Sequence, residues 1–207
     1  MKKQTPYWRL GCAVSILATA VAWSAIATPA YALEVSGVNF TPTAQTHGIT
    51  LTLLGAGVRR LAANNLYTAA LYLEHKPASA QAIWRGTGAK QLRVVLLRDV
   101  NSREISNLLS QGFVSNSNDD ELAAIIPEMV GLGTLIAEQG KLFAGDSFQI
   151  DWSQTAGTTI SIRSRVQAQP TVQVFGKPDL VGAMMKIWLG DRPADAELKS
   201  ALLGKTI

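Results

Sequence analysis

The sequence predicts an α+β fold, an antiparallel sheet with helices packed on one face. Three observations lead there. The candidate elements run as strands, then helices, then strands, then helices. Ile49-Thr-Leu-Thr-Leu53 alternates with period two, as a half-buried strand does. The middle of the chain changes to helical spacing, with Ile105, Leu108, Leu109 and Phe113 in one stripe and Leu122, Ile125, Ile126, Met129, Val130 and Ile136 in the next.

The elements follow in order. Gly55-Ala-Gly57 breaks the first strand, which signals a bulge or a close backbone approach. Val58-Arg59-Arg60 resumes the strand, Ala62-Ala-Asn-Asn65 is a turn candidate that turns near Ala63-Asn64, and Leu66–Leu73 returns as the second arm of a hairpin. Ser79–Arg85 reads as one short helix. Gln91–Arg98 is a strand apolar through Val94-Val-Leu-Leu97, and a strand apolar on both faces is covered on both. Ser102–Val114 is helical. Ser117-Asn-Asp-Asp-Glu121 opens the next helix with a capping serine and acids at the positive helix end. Pro127 inside that stripe is expected to kink or divide it. Strands return at Ser147–Trp152, Thr158–Arg163 and Thr171–Phe175, with Gly157 at the first turn. A helix over Asp179–Leu189 stops at Gly190. Asp191-Arg-Pro193 supplies a cap and a proline for a last helix over Ala194–Leu203.

Composition bounds the function. The chain has 207 residues, 47% hydrophobic and 16% charged, against about 25% charged in ordinary domains. A disordered chain and a charge-rich coiled coil are excluded. Lys2, Lys3 and Arg9 precede an uncharged run, Leu10–Ala27, which ends in Thr28-Pro29 and Ala30-Tyr-Ala32. That arrangement predicts a signal peptide over residues 1–32 and one domain over 33–207. The rival reading is an uncleaved membrane anchor. Cleavage after Ala32 removes three of the 19 basic residues and none of the 15 acids, so the net charge of +4 falls to +1. No electrostatic footprint for nucleic acid or anionic lipid remains. No membrane span remains either. The only cysteine, Cys12, leaves with the signal, so the domain is expected to stand without disulfides in a bacterial periplasm or secreted.

A search for catalytic and cofactor signatures yields little. His47 and His75 are isolated, with no Cys or second His at ligand spacing, so no metal site is expected. Gly55-Ala-Gly57 lacks the spacing and following helix of a dinucleotide loop, no Ser sits in a G-x-S-x-G turn, and no cofactor is expected. Asp119-Asp-Glu121 reads as the start of a helix rather than a metal cluster. Trp84, Trp152 and Trp188 read as core.

Two sets of residues carry a family resemblance. Leu53-Leu-Gly-Ala-Gly-Val-Arg59, Tyr67-Thr-Ala-Ala-Leu-Tyr-Leu-Glu74 and Leu97-Arg-Asp-Val100, taken in this order, resemble the chalcone isomerase superfamily. Met185-Lys-Ile-Trp-Leu-Gly-Asp191 and Asp195-Ala-Glu-Leu-Lys199 resemble its bacterial exported branch. The resemblance implies an open-faced β-sandwich with a ligand cleft between sheet and helices.

In the plant enzymes, the motif arginine assists closure of a chalcone to a flavanone by stabilising the developing enolate, and Arg59 is the matching position. A guanidinium in a dry pocket is suited to that task. The Tyr, Lys and Asn that accompany it in the enzymes are not matched, because residues 101–116 hold no Tyr and no Lys. Superfamily members that bind fatty acids pair the arginine with a tyrosine on the next strand, and Arg59 with Tyr67 reproduces that pair. By period two, Tyr67 shares its face with Ala69, Leu71 and Leu73, so a buried hydroxyl there needs a partner. The resemblance thus implies that Arg59 and Tyr67 hold the carboxylate of a small apolar ligand such as a fatty acid. Two alternatives stay open: an isomerase (intramolecular lyase) with Arg59 as its catalytic residue and an unknown substrate, or a scaffold that binds nothing.

Overall fold

One strand of 13 residues organises the sheet. The computed structural model describes residues 32–205, so the expected signal peptide lies outside the described residues but for its last position. Eleven strands and five helices follow in the described residues. They are β1 (Leu33–Val35), β2 (Val38–Phe40), β3 (Thr43–Thr46), β4 (Ile49–Leu61), β5 (Asn64–Leu73), α1 (Ala80–Arg85), β6 (Lys90–Leu96) and β7 (Val100–Asn101). After them come α2 (Ser102–Asn116), α3 (Asp119–Ala137), β8 (Lys141–Leu142), β9 (Ser147–Ser153), β10 (Gly157–Arg163), β11 (Thr171–Phe175), α4 (Pro178–Leu189) and α5 (Ala196–Leu202). Seven strands form one antiparallel sheet in the order β11-β10-β9-β6-β5-β4-β3. The α+β architecture and the helix-covered face are as the sequence predicts.

The sheet curls. In a flat sheet β3 and β9, four neighbours apart, would lie about 19 Å from each other, yet Thr46 Oγ1 on β3 donates to Asp151 Oδ1 on β9 at 2.7 Å. Bulges on β4 between Leu53 and Gly55 and between Arg59 and Arg60 supply the extra bend and twist. The glycines serve a second purpose. A Cβ on Gly57 would stand 2.6 Å from the Ala201 methyl, and one on Gly55 would run into the Ala201 carbonyl. Helix α5 therefore lies directly on β4, where no side chain fits. Both readings of Gly55-Ala-Gly57, bulge and close approach, hold.

Two cores form on the two faces. The larger carries Leu66, Tyr67, Ala69, Leu71, Leu92, Val94 and Ile150 of the sheet against Phe113, Ile125, Leu135, Met184 and Trp188 of the helices. The smaller buries Phe40, Leu51, Ala70, Tyr72, Ala89 and Val95, with Val35 and Val38 packed against them. The β1–β2 hairpin that brings Val35, Val38 and Phe40 was not foreseen, because strands of three residues carry no readable period. It explains why Val95, on the second face of β6, is apolar and buried.

Several expectations need correction. The hairpin turns at Ala62-Ala63, since Leu61 pairs with Asn64, and Ala62 takes φ of 54°. Helix α3 is capped by Asn118 rather than Ser117. The Asn118 side chain accepts from the Glu121 N–H, and Glu121 reaches back to the Asn118 N–H. Pro127 neither ends nor divides α3, which runs unbroken over 19 residues. Two of the six residues in the expected α3 stripe face water: Ile126 is 56% and Val130 66% exposed, whereas Leu122 and Met129 are half-buried, Ile125 and Ile136 are buried, and Leu132 and Leu135 join them in the core. The apolar arc is wider than the part that α2, α4 and β11 cover. The last helix begins later than expected, with Asp195 as its cap in place of Asp191.

Candidate functional site

Strand pairing brings the two candidate residues together. Arg59 on β4 and Tyr67 on β5 are direct cross-strand partners, and directly paired residues point to the same face of a sheet. That face is the one under the helices, because Tyr67 alternates with Ala69 and Leu71, both in the helix-side core. Arg59 is 8% and Tyr67 6% exposed. Arg59 Nη1 donates to the Tyr67 hydroxyl at 3.4 Å, and its guanidinium carbon lies 5.6 Å from the ring centroid.

A third residue completes the cluster. Trp188 Nε1 donates to the same Tyr67 hydroxyl at 2.7 Å. Helix α4 carries it there, 121 positions along the chain from Tyr67. The sequence reading placed Trp188 in the core, and it is 5% exposed. What sequence could not tell is where its N–H points. The one available signal was chemical: a buried indole N–H needs an acceptor, and few lie on an apolar helix face.

The cluster stands at one end of an apolar slot between sheet and helices. Leu66, Val94, Leu96, Phe148, Ile150, Ile160 and Ile162 of the strands form its floor. Its roof is Ile105, Leu108 and Leu109 of α2, Leu132 and Ile136 of α3, and Met184 and Ile187 of α4. From β4 to β10 the floor crosses four strand spacings, about 19 Å along the sheet. The slot encloses about 70 Å³, well below the roughly 300 Å³ at which ordinary small-ligand pockets begin. It is therefore narrow and long. Ile105, Leu108 and Leu109 are only half-buried, so the α2 side of the roof is its least anchored part.

The electrostatics are one-sided. Among the described residues no carboxylate lies within ion-pair distance of Arg59, and its Nε–H is buried without a partner. Asp195 is close enough to influence Tyr67, but its carboxylate accepts from the backbone N–H groups of Arg60 and Leu198. Burial raises the Tyr67 hydroxyl above its ordinary range, with the charge of Arg59 and the two incoming hydrogen bonds pulling partly back. The phenol is therefore protonated at neutral pH. A buried cation without a counter-ion is costly. The arrangement can receive an anion or a carbonyl oxygen, and among the described residues it contains no base to remove a proton.

The remaining candidates lie elsewhere. His47 sits in a β3–β4 turn against Thr159 Oγ1 at 3.2 Å, and the His75 side chain is exposed beside Glu74. Asp119, Asp120 and Glu121 form the first turn of α3, and Glu121 pairs with Lys186. Among the described residues no group of three His, Cys, Asp or Glu is arranged around a metal-sized site. No helix of theirs is long and apolar enough to cross a membrane.

The fold is similar to the crystal structure of a fatty-acid binding protein of Arabidopsis thaliana, with a TM-score of 0.57 and 12% sequence identity over 81% of this chain and 92% of that one. No curated protein matches the sequence. A family model described as chalcone isomerase-like matches residues 32–204. With nearly the whole described chain covered, the protein belongs to the chalcone isomerase-like family.

Proposed function

We propose that the protein binds a small apolar carboxylate, such as a fatty acid, with its head group on Arg59 and Tyr67 and its tail in the slot. One observation carries this reading: Arg59 is buried at the end of an otherwise apolar cavity, with an orphaned Nε–H and, among the described residues, no counter-ion. A carboxylate supplies the missing charge through charge-assisted hydrogen bonds. The tail enters by displacing the half-buried side chains of Ile105, Leu108 and Leu109. The Arabidopsis neighbour, a fatty-acid binding protein, offers a fold-level parallel. An isomerase reading is less well supported, since among the described residues Arg59 and Tyr67 are the only titratable groups in the slot wall and neither serves as a base at neutral pH.

The reading includes export. Residues 1–32 act as a cleaved signal peptide, and the domain works in a bacterial periplasm or outside the cell. Two experiments test these proposals. Mass spectrometry of organic extracts from the purified protein should reveal a bound fatty acid that is absent from Arg59→Ala. No co-purifying lipid, together with no uptake of added fatty acid, would leave only the scaffold. For export, Edman sequencing of the protein recovered from periplasmic extracts should begin at Leu33, and a start at Met1 would refute cleavage.

A further inference from the structure

The Tyr67 hydroxyl faces two groups that can only donate. An indole offers one N–H and no lone pair, and a guanidinium offers N–H groups alone. With Trp188 Nε1–H at 2.7 Å and Arg59 Nη1–H at 3.4 Å both directed at its oxygen, Tyr67 can hand its own proton to neither. Among the described residues no acceptor takes that proton. The orphaned Arg59 Nε–H adds a second unused donor. The anchor is thus saturated as an acceptor and unsatisfied as a donor.

This has a consequence for which head groups fit. A carboxylate only accepts, so it can satisfy Tyr67 O–H and Arg59 without presenting a proton of its own. An alcohol of the same chain length brings an O–H that would find no acceptor, and a buried unmet donor is costly. We propose that Trp188 is a specificity-determining residue: by occupying the Tyr67 oxygen as a donor, it selects ligands whose head group only accepts and rejects those that also donate. The inference rests on the carboxylate reading above and extends it to a named discriminating contact. Trp188 acts through Tyr67, as a positioning residue. The bond is also short and buried, and it joins α4 to β5 beside the slot.

The test uses delipidated mature protein, dodecanoate and dodecanol as probes, and Trp188→Phe, which keeps the ring and drops the N–H. Wild type should prefer the acid. In Trp188→Phe the Tyr67 oxygen regains a lone pair for the alcohol proton, so the acid-to-alcohol preference should shrink about tenfold, the size of one hydrogen bond. Leu109→Ala, which touches only the tail, should weaken both ligands alike and leave the ratio unchanged. Trp188→Phe placed on Tyr67→Phe should change the ratio no further, since the contact is already gone. An unchanged ratio in Trp188→Phe, with the acid still preferred, overturns the role of Trp188 and leaves the carboxylate reading standing. If wild type binds neither probe, that reading fails and the selectivity inference falls with it. A readout without ligand covers the contact itself. Trp188 supports the phenolate, so Trp188→Phe should move the tyrosinate absorbance of Tyr67 to higher pH, and an unmoved transition overturns the assignment.

Discussion

Replacing Arg59 with Met should have opposite effects on the empty and the loaded protein. Arg59 is 8% exposed and, among the described residues, its guanidinium lacks a carboxylate partner. Its desolvation costs several kcal/mol in principle, offset by a long bond to Tyr67 at 3.4 Å and a ring contact at 5.6 Å worth about 1 kcal/mol. A methionine of similar reach removes the cost and keeps the packing. The ligand-free variant should therefore gain about 1 kcal/mol, or about 2–4 °C in melting temperature for a chain of this size. The loaded protein behaves differently. At a dodecanoate concentration 100 times the wild-type Kd, binding stabilises wild type by about 2.7 kcal/mol. Losing the charge-assisted bonds costs about 2.7 kcal/mol of affinity, two decades, which leaves the variant with about 0.4 kcal/mol of stabilisation. Thermal unfolding followed by circular dichroism, with and without dodecanoate, reads both effects. Wild type should rise by about 5–11 °C on adding ligand and the variant by about 1 °C. An empty variant that melts several degrees lower, with its ligand response intact, would refute the reasoning.

Other parts of the fold give further expectations. Gly57→Ala should lower the urea midpoint by an amount equal to about 2 kcal/mol, because its methyl meets Ala201 at 2.6 Å, and Ala201→Gly in the same chain should recover part of the loss. Asp151→Ala should cost about 2–4 kcal/mol, since Thr46, Gln91 and Gln149 all donate to that buried carboxylate, and hydrogen exchange should accelerate most on β3. Burial lowers Lys90 to about 8 from the ordinary 10.5. The unfolded chain then holds the proton more tightly, so wild-type stability should rise between pH 8 and 10.5. Against Lys90→Met, which does not titrate there, equilibrium unfolding should show the difference moving in favour of wild type by about 1–2 kcal/mol across that window once solvent screening is allowed for. A constant difference would show that burial does not depress this lysine.

Much of the candidate site is legible in the sequence, because the placement of Arg59 and Tyr67 depends on local pattern. Period two in Ile49–Leu53 and around Tyr67 set the strands and the shared face of Tyr67, Ala69 and Leu71. Arg59 then fell opposite Tyr67 although the turn was expected one residue late. The bulges on β4 absorb such offsets, and a count of residues from the turn cannot see them. Ser79, which the sequence places as the first residue of the short helix, is its cap, and Asn118 caps α3 where Ser117 is expected, since the two are neighbours and both residue types cap well.

Local pattern in the chain is enough for the α+β class, the hairpin, the two helical stripes, the close approach or bulge at Gly55-Ala-Gly57 and the identity of the charged residue in an apolar strand. These follow from steric and periodic rules that act over a few residues. Only the tertiary structure decided that Trp188 meets Tyr67, that β1 and β2 close the second face, that Ile126 and Val130 stay in water, and that a slot runs from Arg59 to β10. Each depends on how distant segments dock, and docking answers to the volume and direction of side chains across the whole core rather than to the order of neighbours along the chain.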